Sequence, residues 1–564
     1  MTGGGARAVP VDTLLTRLDT HARERPDALL LRGPWGALTA IELAAGVARA
    51  EHWLLERGLG AAGAQTADAD LPARLGLCLE KGAAFVLLHL AALRRGLVIL
   101  PLNPRAPASE RDALLAEAGA ATLVLDDTLP AGAPDCAVHR LPTDELFDAL
   151  AGAAPAPHDR NAAAERAHAA HAPPSEAQAA VTPLPTADAP AVMLATSGTT
   201  GRPKLAVHTH TSLAANQRAL QTAWRWSADD ALLHVLPHFH VHGLFVALHG
   251  ALWAGAETHF ARRFDSDDVW AELAAGRVSV FMSVPTMVHR MLAGAAGASP
   301  GNASRGSATV EEGAQAAGAS RRHARQVGRL RLMTCGSAPL SLEDRAAFVE
   351  RCGVSIVERY GMTETGILTS QSLDAPRDAG GVGDALPGVE LRVASSSTHV
   401  ALPLGEEGEV QVRGDSLFAG YWQRPEADAE LFTPDGWLRT GDLGALSPSG
   451  ELTLLGRSKD LVISGGFNVH PREVELVLEQ HAAVDQAAVL GVADADFGER
   501  VIAAVVLASS ASPSETLART LIAHCRAQLA AYKCPKRVLF REQLPRNAMG
   551  KLMKVALKRE LRLS

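Results

Sequence analysis

A cluster of hydroxyl, glycine and basic residues has the composition of a phosphate-binding loop. Glycine lets successive backbone N–H groups curve around an anion, and Ser and Thr hydroxyls add further donors. The spacing differs from the GxxxxGK[ST] pattern, which disfavours a mononucleotide-fold NTPase. A surface loop without a ligand is the alternative interpretation. The residues are Thr196, Ser197, Gly198, Thr199, Thr200, Gly201, Arg202, Pro203 and Lys204.

Six further segments carry residues suited to nucleotide chemistry. They include small residues, an aromatic ring next to a carboxylate, an aspartate, an arginine, paired glycines and a lysine near the end of the chain. Each segment alone is weak evidence, because a turn or a solvated surface would explain it. In chain order they are Cys335–Leu340, Arg359–Thr365, Gly436–Gly444, Gly456–Asp460, Ser464–Glu475 and Pro545–Lys551.

Together with the loop, these segments resemble the motifs of the adenylate-forming superfamily. This superfamily includes acyl-CoA synthetases, peptide-synthetase adenylation domains and luciferases. The resemblance implies that ATP, Mg²⁺ and coenzyme A bind, that residues 196–201 and Lys204 contact phosphate, and that Thr363 does so as well. It also implies that Glu364 and Thr200 hold Mg²⁺, a cation that prefers hard oxygen ligands such as carboxylates and phosphates.

The resemblance also assigns the adenosine part of ATP. It implies that Tyr360 flanks the adenine, that Asp442 accepts hydrogen bonds from both ribose hydroxyls, and that Arg457 contacts ribose or phosphate. A carboxylate suits the ribose because it offers only acceptor sites. The small residues that would admit the flat adenine ring are Gly336, Ser337 and Ala338.

The C-terminal segments complete the resemblance. Lys551 matches a lysine that lies between the acid and the α-phosphate, where a compact ammonium group neutralises developing charge. Lys459 matches the hinge at which the C-terminal domain rotates. Gly465 and Gly466 match the segment that lines the pantetheine tunnel after rotation, where paired glycines allow close approach of a thin ligand.

The acid pocket is expected beneath residues 234–243 and the strand that follows. His238, His240 and His242 alternate and would share one face of an extended strand, and we assign His240 to the gate of the pocket. Arg290 resembles the arginine of malonyl-CoA synthetases that binds the distal carboxylate of a dicarboxylic acid. A pocket-facing arginine is costly unless it meets an anion, and an outward-facing helix arginine is the alternative.

The elements around these residues predict an α/β protein. Short apolar runs alternate with helical segments before residue 380, which favours parallel sheets, and a small β-barrel-like subdomain follows. A compact α+β unit ends the chain. We predict an N-terminal AMP-binding domain over residues 1–457 and a mobile C-terminal lid over residues 458–564. Residues 151–185 and 294–325 lack an apolar period and are predicted as flexible insertions.

Composition limits the possible partners. A net charge of −8 over 564 residues gives no support for nucleic-acid binding, and no apolar run is long enough for a membrane span. The six cysteines lack CxxC spacing, so neither a disulfide framework nor a zinc site is indicated. We expect a reducing compartment, the cytoplasm, with the mitochondrion as the alternative.

The predicted function is an ATP-dependent malonate–CoA ligase that forms malonyl-CoA, AMP and pyrophosphate through a malonyl-adenylate. A ligase for methylmalonate or for another short-chain or medium-chain acid is the closest alternative, and an aryl ligase has a different pocket. A peptide-synthetase adenylation domain is disfavoured because no carrier domain follows. A non-catalytic nucleotide-binding regulator is disfavoured because Glu364, Asp442, Arg457 and Lys551 are all present.

Overall fold

The structure of the chain is a computed structural model. The predicted insertion 294–325 lies outside the described residues, and so does 151–185 apart from its last two residues. The described residues are 12–59, 72–130, 132, 136–141, 184–196, 204–293, 327–374, 381–464, 467–494, 498–547, 550–561 and 563.

The strands of the described part form four sheets. In chain order they are β1 (Leu29–Gly33), β2 (Gly36–Thr39), β3 (Arg74–Cys78), β4 (Val98–Pro101), β5 (Thr122–Asp126), β6 (Ala137–Leu141), β7 (Pro190–Thr196), β8 (Lys204–Thr209), β9 (Ala231–His234), β10 (Glu257–Phe260), β11 (Val280–Ser283), β12 (Leu332–Cys335), β13 (Ile356–Met362), β14 (Gly366–Ser370), β15 (Asp384–Ala385), β16 (Val389–Ala394), β17 (Gly408–Gly414), β18 (Gly420–Tyr421), β19 (Leu438–Leu446), β20 (Leu452–Arg457), β21 (Val462–Ser464), β22 (Phe467–Val469), β23 (Val484–Asp494), β24 (Gly498–Leu507) and β25 (Arg537–Arg541).

Helices cover the sheets, and several begin at a side-chain cap. Thr209 caps α5 directly after β8, because its hydroxyl accepts a hydrogen bond from the Ser212 N–H. The helices are α1 (Leu14–Glu24), α2 (Ala40–Glu56), α3 (Ala83–Arg94), α4 (Ala108–Ala118), α5 (His210–Trp224), α6 (Gly250–Ala254), α7 (Ser266–Ala274), α8 (Pro285–Ala293), α9 (Leu342–Cys352), α10 (Pro425–Leu431), α11 (Pro471–Glu479), α12 (Glu515–Gln528) and α13 (Lys554–Glu560).

Two large sheets form the core of the N-terminal part, and the predicted α/β architecture is confirmed. One sheet has the order β18-β8-β7-β4-β3-β5-β6, and the other has the order β15-β14-β13-β12-β11-β9-β10-β1-β2. Strands β3 to β7 pair in parallel, as do β9 to β13. Every residue of α3 from Ala83 to Leu93 is buried, because this helix is apolar on all sides.

Two smaller sheets follow in the chain. Strands β16, β17, β19 and β20 form an antiparallel sheet in the region where short β runs were predicted. The last sheet has the order β22-β21-β24-β23, with β25 paired in parallel to β24. Its inner face packs with α11 and α12 around a separate apolar cluster that includes Val474, Leu478, Val505 and Leu521. The last sheet therefore has a core of its own, as the predicted C-terminal unit requires.

None of the helices in the described part of the chain combines the length and apolar character needed to cross a membrane.

Candidate active site

The predicted phosphate loop joins two antiparallel neighbours, β7 and β8. Its two end residues, Thr196 and Lys204, face each other in the β7–β8 pairing, and the Thr196 hydroxyl donates to the Lys204 carbonyl at 3.3 Å. The apolar run before the loop is a buried strand, as predicted. Five predicted phosphate-binding residues lie outside the described part of the chain, and their role stays a prediction: Ser197, Gly198, Thr199, Thr200 and Gly201.

The predicted magnesium carboxylate lies in the turn between β13 and β14. Glu364 is 6% exposed, and its Oε1 accepts a hydrogen bond from the Tyr421 hydroxyl at 2.6 Å. The Lys204 ammonium lies over the Tyr421 ring at 4.8 Å from its centroid. Tyr421 reaches both residues because β18 pairs with β8, which places it opposite Ala206. One aromatic side chain thus connects a predicted metal ligand with a predicted phosphate-binding lysine.

Buried polar side chains from β8 and α5 hold this turn in place. The His208 ring nitrogen Nε2 donates to the Thr363 carbonyl at 2.7 Å. Burial lowers the pKa of His208 to about 4, so the ring is neutral and its single proton serves this bond. Asn216 binds the backbone of Ile367 with both ends of its amide. The residues after the phosphate loop therefore position Thr363 and Glu364.

The predicted ribose aspartate is buried between two donors. Asp442 and Arg457 face each other in the β19–β20 pairing, and Arg457 Nε lies 2.9 Å from Asp442 Oδ1. The Tyr360 hydroxyl donates to Asp442 Oδ2 at 2.6 Å. Three predicted adenosine contacts thus meet at one carboxylate. Each oxygen of that carboxylate has a second acceptor position, which leaves room for the hydroxyls of a ribose.

The predicted catalytic lysine, Lys551, comes to this site from the C-terminal part of the chain, where it lies between β25 and α13. Burial and the positive charge of Arg457 lower the pKa of Lys551 to about 8. The negative charge of Asp442 acts in the opposite direction and offsets part of this shift. The lysine loop is closed by the Lys551 N–H, which donates to Asn547 Oδ1 at 3.0 Å. Gly550 packs against Thr286 of α8. Lys551 is therefore close enough to feel the charges of Asp442 and Arg457, and its contact with the nucleotide stays a prediction.

The predicted hinge and the pantetheine segment are described only in part. Lys459 lies in a 3₁₀ turn, Ser458–Asp460, between β20 and β21. Burial and the charge of Arg457 lower the pKa of Lys459. Gly465 and Gly466 lie outside the described residues, between β21 and β22. The roles of these three residues stay predictions.

The segment predicted to admit the adenine has one unusual backbone residue. Ser337 has a φ of 72°, in the left-handed region that disfavours residues with a side chain. Its hydroxyl lies 3.5 Å from His242 Nδ1. Gly336 lies under the Arg359 side chain, and a Cβ at Gly336 would be 2.7 Å from Arg359 Cζ. A side chain at this position would therefore displace the Arg359 guanidinium, while the contact of residues 336–338 with adenine stays a prediction.

The predicted extended strand with three same-face histidines is wrong. Strand β9 ends at His234, and Pro237 follows, which cannot donate to a sheet ladder. From His242 the chain forms a π-helical segment, His242–His249, in which every residue is buried. Burial lowers the pKa of His238 to about 3 and that of His240 to about 4. His240 stays the predicted gate residue, with its ring 4.7 Å from that of Phe239.

Arg290 is exposed on α8. The argument that a buried arginine needs an anionic partner therefore does not apply to this residue. It lies one turn beyond Thr286, which contacts the lysine loop through Gly550. Its neighbour His289 lies 3.7 Å from Asp485 of the C-terminal sheet. Arg290 thus lies close to the meeting point of α8 and the C-terminal part, and its contact with substrate stays a prediction.

The residues present fit a magnesium ion that is shared with phosphate. Glu364 is a buried acceptor whose Oε1 is already oriented by Tyr421, and Mg²⁺ typically takes one or two carboxylates together with phosphates and water. The described part of the chain contains no group of three or more His, Cys, Asp or Glu residues arranged for a metal. A site that relies on substrate oxygens needs no such group.

Sequence reasoning did not identify Tyr421, His208 and Asn216. The chain has only three tyrosines, and two of them, Tyr360 and Tyr421, donate to the two predicted site carboxylates. The small number of tyrosines in the sequence was the one feature that could have drawn attention to Tyr421. His208 and Asn216 follow the phosphate loop closely in sequence, but their partners are more than 150 residues away. Local patterns do not reveal such contacts.

Comparison with known proteins gives matches along most of the chain. Residues 18–422 match the AMP-binding enzyme family, and residues 473–551 match the AMP-binding enzyme C-terminal domain. A malonate–CoA ligase of Arabidopsis thaliana is 37% identical over 393 residues, which are 66% of this chain and 61% of that protein. The mitochondrial malonate–CoA ligase ACSF3 of Homo sapiens is 36% identical, over 65% of each chain. The chain thus spans less than two thirds of the length of these curated relatives.

A solved structure gives a fuller match. The crystal structure of ATP-bound MatB from Rhodopseudomonas palustris superimposes with a TM-score of 0.81 at 35% identity, covering 98% of this chain and 99% of that one. The similarity includes the large α/β part and the smaller C-terminal part. The family match alone covers more than half of the residues. The chain belongs to the family of AMP-binding enzymes.

Proposed function

We propose that the protein is an ATP-dependent malonate–CoA ligase. The observation that supports this most directly is the convergence of four residues from different segments of the chain, Glu364, Asp442, Arg457 and Lys551. Glu364 and Arg457 both influence the pKa of Tyr421, and Asp442 and Arg457 both influence the pKa of Lys551. These four are the groups an adenylate-forming enzyme needs. The relatives named as malonate–CoA ligases support malonate as the acid.

The reaction would proceed in two steps at one site. A malonate carboxylate oxygen attacks the α-phosphorus of ATP, and the bond to pyrophosphate breaks to leave malonyl-AMP. The sulfur of coenzyme A then attacks the malonyl carbonyl carbon, the thiol proton is released, and AMP leaves with the electrons of the anhydride bond. Lys551 stabilises charge in the first step through its ammonium group. Mg²⁺, held by Glu364 and Thr200, would neutralise charge on the ATP phosphates.

The two steps need different partners in the same site. The chain divides into a domain of residues 1–457 and a lid of residues 458–564, with Lys459 as the hinge. The turn Ser458–Asp460 supports this division, because it joins two separate sheets. Rotation at the hinge would withdraw Lys551 and bring Gly465 and Gly466 towards coenzyme A. The cytoplasm is the expected compartment, and the name of the human relative keeps the mitochondrion as the alternative.

A second candidate is a CoA ligase for methylmalonate or for another short-chain or medium-chain acid. The exposure of Arg290 favours the medium-chain acid among these, because an outward-facing arginine at this position is what a ligase without a dicarboxylate site would show. The first step would be the same in both cases. The acid therefore has to be identified by direct competition.

Comparison of acids with the wild type and with Arg290→Ala tests both the choice of acid and the predicted role of Arg290. For the wild type we expect malonate to support faster AMP formation than methylmalonate, acetate or octanoate. In Arg290→Ala, malonate turnover should fall by about 10-fold to 100-fold, because a hydrogen bond to a charged group is lost. The measurement is acid-dependent AMP formation with ATP, Mg²⁺ and coenzyme A. Faster turnover of octanoate or acetate by the wild type would overturn malonate as the substrate.

Loss of the Tyr421 hydroxyl should weaken the use of Mg²⁺ more than the binding of nucleotide. Tyr421→Phe keeps the ring under Lys204 but removes the bond to Glu364. We expect adenylation to fall by about tenfold at limiting Mg²⁺ and to recover at high Mg²⁺. Tyr360→Phe is the matched variant, since it removes a tyrosine bond to Asp442 instead. It should raise the KM for ATP without a change in the Mg²⁺ requirement, and equal behaviour of both variants would contradict this prediction.

A further inference from the structure

A buried arginine without a carboxylate partner lies next to the predicted adenine contacts. Arg359 is 5% exposed, and its Nε and Nη2 atoms are fully buried without a hydrogen-bond partner. No carboxylate of the described residues raises the pKa of Arg359; the ionisable group beside it is Cys335, whose thiol is neutral because burial raises its pKa to about 12. Burial lowers the pKa of Arg359 to about 10, so the guanidinium is charged at neutral pH. A buried cation in this state is unfavourable unless an anion joins it.

The position of Arg359 on β13 directs its side chain away from the predicted ribose site. Adjacent residues of a strand point to opposite faces of the sheet. Tyr360 points to Asp442 and the predicted ribose site, whereas the Arg359 side chain lies over Gly336 at the end of the neighbouring strand β12. The absence of a side chain at Gly336 makes room for the guanidinium. The charge is therefore held next to Gly336, on the other side of β13 from the predicted ribose site at Asp442.

A second buried nitrogen without a hydrogen-bond partner lies on the same side, at His242. His242 is 3% exposed, and its Nε2 is buried without a hydrogen-bond partner. Burial, reinforced by the positive charge of Arg359, lowers the pKa of His242 well below its usual value, so the ring is neutral. The Ser337 hydroxyl lies 3.5 Å from Nδ1, and in the tautomer that carries its proton on Nε2 that buried atom is a donor. His242 also follows the predicted gate residue His240 by two positions, so it belongs to the segment expected around the acid.

The acid is the component of the reaction that could compensate this charge. The phosphates and the ribose have their own predicted partners in Lys204, Lys551, Arg457 and Asp442. Among the described residues, Nε and Nη2 of Arg359 and Nε2 of His242 have no hydrogen-bond partner. A monocarboxylic acid uses its only carboxylate in the attack on ATP, so it has no second negative charge that could pair with Arg359. A dicarboxylic acid brings a second carboxylate, and a guanidinium is the side chain best suited to one.

We propose that Arg359, together with neutral His242, selects a short acid that carries a second negative charge. This inference rests on the proposed function and deepens it, because it assigns discrimination between dicarboxylates and monocarboxylates to a buried pair rather than to exposed Arg290 alone. That the acid is short follows from the proposed function, since the two carboxylates of malonate are separated by one carbon atom. Arg359 acts as a specificity determinant, and its charge is the property that matters.

The test compares two acids of the same shape. Malonamate is malonate with one carboxylate replaced by a neutral amide, so the ratio of kcat/KM for the two acids measures recognition of the second charge. The readout is pyrophosphate exchange into ATP, which follows the first step alone. In Arg359→Met this ratio should fall by at least about 30-fold, while kcat/KM for malonamate stays within about threefold. Arg359→Lys, which keeps the charge, should retain most of the ratio.

Each result has a defined meaning. An unchanged malonate-to-malonamate ratio in Arg359→Met would overturn the inference and leave the proposed function intact. A wild type that prefers acetate or octanoate would overturn the proposed function, whatever the variants do. If Arg359→Met does not fold, as judged by thermal unfolding, Arg359→Gln removes the same charge with a polar side chain. A ratio retained in Arg359→Gln would equally overturn the inference. A loss of general activity without a change in the ratio would mean that Arg359 has only a structural role.

Discussion

Lys551→Ala should abolish most of the first step and leave the second step nearly intact. We expect pyrophosphate exchange with malonate to fall by about 10²-fold to 10³-fold, the usual effect of removing one group that stabilises charge in the transition state. The transfer of a preformed malonyl-adenylate to coenzyme A should change by less than about threefold, because in that step the lid would have withdrawn the lysine. The two steps are measured separately on the same protein preparation.

The pH dependence of the first step should report the same residue. The ammonium form is the one that stabilises negative charge, and burial beside Arg457 lowers the pKa of Lys551 to about 8. The charged fraction is therefore high below pH 8 and falls as the pH rises above it. In the wild type, kcat/KM for ATP in pyrophosphate exchange should decrease above about pH 8, since this parameter reports groups of the free enzyme. Lys551→Ala should lack that decrease.

An exposed lysine of the same C-terminal part provides the control. Lys536 donates to the Ala531 carbonyl at 3.0 Å and lies away from the predicted site residues. Lys536→Ala should keep both half-reactions and the alkaline decrease. If Lys551→Ala lowers both steps equally, the lysine does not act in adenylation alone and the two-state scheme would be wrong.

The sequence predicted the elements of the fold better than their contacts. The apolar run Ala191–Ala195 was enough to predict β7, and the helical pattern of Thr516–Leu529 was enough to predict α12, because burial and period determine such elements locally. The alternation of histidines at residues 238–242 gave a wrong prediction, because it too is only a local pattern. A period of two in one residue type does not make a strand where Pro237 interrupts the backbone and the residues from His242 to His249 are buried on every side.

The predicted site was limited in a different way. The superfamily motifs supplied Glu364, Asp442 and Arg457, and the structure brings the last two together as paired residues of β19 and β20. Tyr421 could not be inferred, because its partner Glu364 is 57 residues away and the contact exists only through the pairing of β18 with β8. The sequence also does not reveal whether a charged side chain is exposed, or buried with or without a partner. Arg290 and Arg359 are both arginines near predicted motifs, yet one is exposed and the other is buried without a partner.

Glu364→Gln should give the second large effect, because it removes charge from the predicted magnesium site while keeping shape. The substituted side chain would retain an amide oxygen that accepts from the Tyr421 hydroxyl, so the turn between β13 and β14 should stay folded. Mg²⁺ binds a neutral amide oxygen less strongly than a carboxylate. We expect pyrophosphate exchange to fall by about 10²-fold at low Mg²⁺, and the half-saturating Mg²⁺ concentration to rise by at least about tenfold.

The comparison of three variants over a range of free Mg²⁺ distinguishes a metal ligand from a structural carboxylate. Glu390 is an exposed carboxylate that pairs with Arg413 at 2.6 Å, and Glu390→Gln should leave the Mg²⁺ dependence unchanged. Tyr421→Phe should lie between this control and Glu364→Gln, because it disturbs the orientation of the carboxylate without removing its charge. A Glu364→Gln protein with reduced exchange but an unchanged Mg²⁺ requirement would contradict the assignment. Glu364 would then act through the turn that it anchors with Tyr421, and the metal would have to be held by other groups.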